Sequence, residues 1–190
     1  MKKMLGLSIA LVLSIGFISV GTWAYFSDTE SSADSQLIIG TLDLKTNDAD
    51  GVTQTLYDTS LMPGGTIGPS TIVLKNAGSI TGSALDIAFA YVESDGSPNA
   101  VNQTADATAA VMEVVTLNYG GSSILGSVGD LNVNGYKDIQ DLKNANLTGQ
   151  SGLTPSATKN FQIAVQLRSD TSNDFQADGI TVTMTFTLNQ

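Results

Sequence analysis

The chain of 190 residues contains no cysteine and no histidine. Without cysteine it cannot form a disulfide or supply a thiol nucleophile, and without both residue types it cannot build a Cys/His zinc site. Catalytic dyads that depend on imidazole are excluded for the same reason. Most common hydrolase mechanisms are therefore excluded before any motif is considered.

Basic residues are scarce as well. Eight Lys and Arg stand against 18 Asp and Glu, which gives a formal net charge of -10. A surface of this sign repels phosphate backbones, so we expect no nucleic-acid partner. The remaining composition, 42% hydrophobic and 14% charged, fits one globular domain and excludes a disordered or collagen-like chain.

The first 24 residues have the pattern of a secretory signal peptide. Lys2 and Lys3 precede an uncharged apolar run at 4–20, and small residues mark a cleavage site between Ala24 and Tyr25. The alternative is a retained membrane anchor, because such a run is close to the minimum length of a spanning helix. We expect a secreted protein that contacts the membrane only before signal cleavage. Its mature form carries 6 basic and 18 acidic residues, a net charge of -12.

The rest of the chain alternates short strands with turns. Residues 181–188 and 161–167 alternate apolar with polar or small residues at period two, which is typical of half-buried antiparallel strands. Shorter runs predict further strands at 41–44, 71–74, 84–92 and 111–118, and Gly-rich turns lie at 62–65, 75–79, 93–99 and 119–123. The pattern predicts an all-β, jelly-roll-like antiparallel sandwich with one short helix at 139–144.

Residues 130–141 match a calcium loop of the EF-hand or dockerin type. Such a loop needs oxygen ligands at positions 1, 3, 5, 7, 9 and 12 and a glycine at position 6, here Gly135. Lys137 occupies a position that is normally apolar, and the last ligand is Asp where Glu is usual. The loop predicts a structural calcium site, and the alternative is an Asn/Gly-rich turn whose carboxylates face water. The predicted ligands are Asp130, Asn132, Asn134, Tyr136, Asp138 and Asp141.

Three weaker patterns also occur. An acidic turn at 47–51 could hold a cation, but its composition favours an ordinary loop. Asn102 and Asn146 each begin an N-glycosylation acceptor triplet, a pattern that arises often by chance.

Four segments of the chain, in order, resemble one family. They are GTWAYFSDTES at 21–31, GTLDL at 40–44, LMPGGTIGPSTIVLKNAGSI at 61–80 and NDFQADGITVTMTFTLNQ at 173–190. Together they resemble the TasA/camelysin family of secreted, fibre-forming surface proteins of bacteria and archaea. The similarity covers both ends and the first half of the mature domain, and 99–154 is the variable part.

The resemblance implies a jelly-roll subunit of extracellular fibres or pili in a biofilm matrix. It implies a signal peptide at 1–24 removed by a signal peptidase, an N-terminal donor-strand segment at 25–39, and a sandwich domain at 40–190. The subunit would form a homopolymer by donor-strand complementation and would also meet other matrix components. The first donor residues would be Tyr25, Phe26, Ser27, Asp28, Thr29, Glu30, Ser31 and Ser32.

The residues themselves permit this mechanism. After two aromatic residues the segment 27–36 is polar. This composition is typical of a linker, and such a linker could leave its own domain. The alternative is an ordinary frayed terminus or a short helix capped by Asp28.

Two other functions compete with the fibre subunit. One is a camelysin-like metallo-endopeptidase, and the other is a monomeric calcium-binding surface adhesin. Metalloprotease zinc usually requires histidine ligands, which this chain lacks, so we expect no enzyme activity and no catalytic residues.

Overall fold

The computed structural model of the protein describes residues 41–50, 61–97, 99 and 101–190. They belong to one compact unit, Gly40–Gln190. The predicted signal peptide at 1–24, the Ala24–Tyr25 junction and the donor segment at 25–39 lie outside the described residues.

In the described part of the chain, eight antiparallel strands form two sheets. The larger sheet has the order β1-β2-β7-β4-β5 and the smaller has the order β6-β3-β8. This arrangement confirms the predicted all-β sandwich. The strands are β1 Leu44–Thr46, β2 Thr66–Asn76, β3 Ala84–Glu93, β4 Met112–Tyr119, β5 Ser122–Ser123, β6 Leu147–Ser151, β7 Thr158–Leu167 and β8 Ile180–Asn189.

The strands with clear alternation were predicted most closely. β8 extends the run at 181–188 by one residue at each end, and β7 adds three residues before 161–167. The prediction at 41–44 was wrong except at its last residue, because β1 covers Leu44–Thr46. The turn predicted at 119–123 is present and closes a β-hairpin between β4 and β5: Gly120 and Gly121, with φ of 59° and 85°, supply the two left-handed residues that this tight turn requires.

Within the ranges that the structure describes, two short α-helices interrupt the strands. α1 is Ala105–Ala110 and α2 is Ile139–Asn144, and only α2 was predicted. α1 begins at Thr104, whose hydroxyl oxygen accepts the backbone N–H of Ala107 at 3.2 Å. Its sequence has no large apolar residues at helical spacing, so periodicity did not reveal it. The Thr cap followed by four alanines within six residues was the available signal.

Aromatic side chains join the two sheets in the core. Phe161 of β7 is completely buried, and its ring centroid lies 6.4 Å from that of Phe89 on β3 and 5.1 Å from that of Phe186 on β8. Burial of a large apolar side chain stabilises a fold by about 1.5–3 kcal/mol, so this triad is a substantial part of a core without disulfides.

Candidate functional site

The loop predicted to bind calcium precedes α2, and its first residue organises its tightest turn. The two carboxylate oxygens of Asp130 accept the backbone N–H groups of Asn134 and Gly135 at 3.1 and 2.8 Å. Gly135 has φ of +88°, a left-handed conformation that strains other residues. The spacing from Asp130 to Gly135 therefore places a carboxylate inside the turn.

The last two acidic positions of the loop form the start of α2. Asp138 is the N-cap and Asp141 the third helical residue, and each carboxylate accepts the other's backbone N–H. The Oδ1 atom of Asp141 also accepts the N–H groups of Leu131 and Asn132 at 2.7 and 3.3 Å. Asp141 thus ties the beginning of the loop to the beginning of the helix.

The two asparagines point their amide groups at Asp138. Nδ2 of Asn132 and Nδ2 of Asn134 donate to Oδ2 of Asp138 at 3.0 and 2.7 Å. Asp138 is fully buried, and burial raises the pKa of its carboxyl, although the bonds from both asparagines act in the opposite direction. The carboxylate is therefore held out of water by donors that belong to its own loop.

Three further contacts fasten the loop to the sandwich. The Lys137 carbonyl accepts the backbone N–H of Val114 on β4 at 2.7 Å, and Lys137 Nζ donates to the carbonyl of Leu125 at 2.9 Å. The guanidinium of Arg168, just after β7, lies 3.9 Å from the centre of the Tyr136 ring. Lys137 reaches a 3-10 turn, Leu125–Ser127, which accounts for a lysine where calcium loops have an apolar residue.

The predicted ligand residues are therefore brought together, but as a hydrogen-bonded unit. Their carboxylate oxygens accept N–H groups, and Asp138 and Asp141 do not face water. Among the described residues, no group of three or more Asp or Glu is placed to hold a metal ion. Calcium binding stays a prediction.

The weaker acidic turn behaves as an ordinary loop over its described residues. Asp48 pairs with Lys75 at 2.8 Å, Asp50 pairs with Lys45, and Asn47 Oδ1 accepts the N–H of Val73. The acids of this turn are neutralised by neighbouring lysines.

A second feature, which the sequence analysis did not identify, is the open edge of the smaller sheet. β8 pairs with β3, and its other edge has no partner strand in the described part of the chain. The inward side chains of β3 are buried, whereas those facing the core from β8 are only partly buried. The alternation at 181–188 indicated a half-buried strand, but one sequence does not show which strand ends a sheet.

Fold and loop together define a small all-β sandwich domain stabilised without disulfides. The chain belongs to the camelysin metallo-endopeptidase family, whose model matches residues 1–190. This confirms the resemblance drawn from the sequence. No curated protein matches the chain. In the described ranges, no helix is both long and apolar enough to cross a membrane.

The family description implies a metal, and the donors of this chain do not fit the usual endopeptidase zinc. Zinc in such sites is held chiefly by imidazole nitrogen, and the chain has no histidine and no cysteine. The carboxylate oxygens of the loop at 130–141 accept N–H groups. The family name thus points toward an enzyme, while the donor set of this chain does not.

Proposed function

We propose that the protein is a structural subunit of extracellular fibres or pili of a biofilm matrix, secreted with the signal peptide 1–24. After cleavage between Ala24 and Tyr25, the subunits polymerise by donor-strand complementation, in which a segment of one copy completes the sheet of the next. Family membership supports the proposal. The observation that carries it is the smaller sheet, which within the described residues has three strands against five in the larger sheet and no strand beyond β8.

The physical reason lies in the unequal burial of two strands of the smaller sheet: the core-facing side chains of β3 are buried, whereas those of β8 are only partly buried. A fourth strand beside β8 would cover apolar side chains that are partly exposed, and each Å² of apolar surface removed from water contributes about 25 cal/mol. It would also satisfy a row of backbone groups. A secreted domain without disulfides gains stability from such an addition.

Deleting residues 25–32 behind an intact cleavage site tests the proposal. We expect a folded, monomeric and less stable protein, because the sandwich strands remain while the donated segment is shortened. Size-exclusion chromatography, thermal melts and electron microscopy provide the measurement. Filaments of normal stability from the truncated protein would contradict donor-strand complementation, and particles without filaments from the intact mature protein would favour the adhesin.

An endopeptidase activity is the second candidate, and the family description is the observation that favours it. Casein digestion by the purified protein, lost on chelation and on mutation of one named acid, would support it. The donor set described above leads us to expect no digestion.

The loop at 130–141 has a structural role in this proposal. It fastens α2 to β4 and to the end of β7, in the part of the chain with the least resemblance to the family. Bound calcium would stiffen the same connection, because Asp and Asn oxygens are the ligands that calcium prefers.

A further inference from the structure

We propose that Asp178 and Asn99 form a binding site for a calcium ion beside the start of β8. The site shares no residue with the loop at 130–141. It goes beyond the proposed function and does not depend on it, because its residues belong to the folded domain and would bind the ion in a monomer as well as in a filament.

The position of Asp178 is fixed by the smaller sheet. The chain that leaves β3 runs beside the chain that enters β8: Ser94 N–H donates to the carbonyl of Gly179 at 2.9 Å, and Gly96 N–H donates to the carbonyl of Ala177 at 2.7 Å. These bonds continue the pairing of the two strands beyond their ends. Asp178 lies between the two carbonyl groups that accept them.

One carboxylate oxygen of Asp178 links this connection to the segment before α1. Its Oδ1 atom accepts Nδ2 of Asn99 at 2.8 Å and the backbone N–H of Gln103 at 3.0 Å. Both donors therefore bind the same oxygen, and the second carboxylate oxygen takes no part in the link.

Two oxygen atoms of the Asp178–Asn99 pair have no partner. Oδ2 of Asp178 and Oδ1 of Asn99 are shielded from water, and within the described residues neither accepts a hydrogen bond. Because a hydrogen bond joins the two side chains directly, both free oxygens belong to one cluster. A buried acceptor without a partner costs about 1–3 kcal/mol, so a bound group that carries positive charge and contacts both oxygens is favoured.

The neighbouring unsatisfied atoms are oxygens as well. In the part of the chain that the structure describes, four buried side-chain atoms lack a hydrogen-bond partner, and they lie on only two segments, 99–108 and 171–178. The other two are the hydroxyl oxygens of Thr108, which is 4% exposed, and Thr171. Unsatisfied oxygens are thus concentrated on the two segments that Asp178 joins.

The charges around the site also favour a cation. Asp95 Oδ1 accepts the N–H of Gly179 at 3.1 Å, which brings a second carboxylate close to Asp178. None of the ion pairs among the described residues includes Asp95 or Asp178. In a protein of net charge -10, a shielded carboxylate oxygen without a basic partner is stabilised by a bound cation.

The donor set fits calcium better than other metals. Calcium is bound by about 6–8 carboxylate, amide, backbone and water oxygens in a flexible geometry. Zinc is usually held by nitrogen and sulfur, and magnesium demands a near-ideal octahedron and keeps several of its waters. Because the protein supplies one free carboxylate oxygen and one amide oxygen, we expect a weak site, with a Kd of about 10⁻⁴–10⁻³ M.

Equilibrium dialysis of the purified protein against radioactive calcium tests the proposal, with circular dichroism as the check on folding. Every protein compared carries Asp130→Asn, which weakens the other calcium candidate. Asp178→Asn keeps the shape of the side chain but removes its charge, so calcium affinity should fall about tenfold or more. Asp174→Asn is the matched control, because Asp174 is an exposed acid of the same connection and bonds only within its own turn.

Asn99→Asp provides an independent test at the same site. It places a second carboxylate against Asp178, so the melting temperature should fall without calcium and recover when calcium is added. Calcium affinity should rise about tenfold, because affinity follows the number of charged ligands. If water is the partner of the two oxygens, the melting temperature should fall and calcium should not restore it.

The outcomes are distinct. Binding that persists with Asp130→Asn and is lost with Asp178→Asn supports the site. Binding abolished by Asp130→Asn alone assigns the ion to the loop and overturns the site, as does equal binding by Asp178→Asn and Asp174→Asn. If Asp178→Asn does not fold, unchanged calcium affinity in Asn99→Asp overturns it. Filament formation is measured separately, so failure of this site leaves the fibre subunit untouched.

Discussion

The carboxylates of Asp138 and Asp141 each accept the backbone N–H of the other residue, at distances of 3.0 and 3.2 Å. Both side chains are buried in a protein whose net charge is -10. Two buried acids three residues apart would repel each other if they lacked these donors. The reciprocal cap, together with the amides of Asn132 and Asn134, makes the burial tolerable and fixes where α2 begins.

Replacing Asp138 with alanine should therefore destabilise the domain strongly. The variant loses an N-cap and leaves buried N–H donors without an acceptor, for a combined cost of about 2–4 kcal/mol in the free energy of unfolding. Urea denaturation measures this cost. Asp174→Ala is the control, because Asp174 is exposed and bonds only within its own turn. Equal stability of the two variants would contradict the role of the cap.

The raised pKa of Asp138 predicts a specific pH dependence. A carboxyl whose folded pKa lies above its ordinary value of 3.8 contributes stability that is present below 3.8 and lost as pH rises through the folded value. Wild type should therefore gain stability relative to Asp138→Asn as pH falls from about 7 to about 4.

Wild type and Asp138→Asn have to be compared at each pH, because the titration of other groups changes the stability of the protein in the opposite direction. A hydrogen bond from Tyr91 lowers the pKa of Asp106, and one from Arg168 lowers the pKa of Asp170, so their contributions are lost on acidification. Both are unchanged in Asp138→Asn. Urea melts of the two proteins at several pH values give the slope, and a wild type that loses stability relative to the variant on acidification would refute the prediction.

The sequence predicted most of the sandwich because its long strands alternate clearly. It also placed α2 at its observed limits, 139–144. It missed β6, whose residues Leu147–Ser151 include a glycine and only one large apolar side chain, and which is held by pairing with β3. Such strands depend on tertiary contacts, which a local pattern does not contain.

Residue spacing identified the candidate loop, but it did not reveal the hydrogen bonds within that loop. The spacing gives oxygen atoms at the required positions, and it does not reveal that Asn132 and Asn134 present their nitrogen atoms to Asp138. The contact between Tyr136 and Arg168 was also absent from the prediction, because the two residues are 32 positions apart and are brought together by the pairing of β4 with β7 in one sheet.

That contact should contribute measurably to the attachment of the loop. A guanidinium 3.9 Å from a tyrosine ring centre gives a cation–π interaction of about 0.5–2 kcal/mol. A double-mutant cycle with Arg168→Gln and Tyr136→Leu should return a coupling energy of that size, because glutamine removes the cation and leucine removes the ring. Additive effects of the two substitutions would show that the stack does not stabilise the loop.

Calcium binding by the loop can be tested directly. Isothermal titration of the mature protein should show heat, and the melting temperature should rise, because a ligand at 100 times its Kd adds about 2.7 kcal/mol to stability. Asp130→Asn should reduce both effects, and Asp174→Asn, an exposed acid outside the loop, should not. No heat and no change in melting temperature in wild type would leave the loop as a hydrogen-bonded clip without metal.

The aromatic triad distinguishes the core of the subunit from the surface that a second copy would cover. Phe161→Ala should cost about 3–5 kcal/mol in the isolated domain, because Phe161 is completely buried. Phe186→Ala should cost less there, since Phe186 lies on the open strand and is only partly buried. In filaments Phe186→Ala should cost more than it does in the isolated domain, because a donated strand beside β8 would bury Phe186 further. Thermal melts of monomers and filaments of both variants measure this, and an equal effect of Phe186→Ala in the two states would count against strand addition at β8.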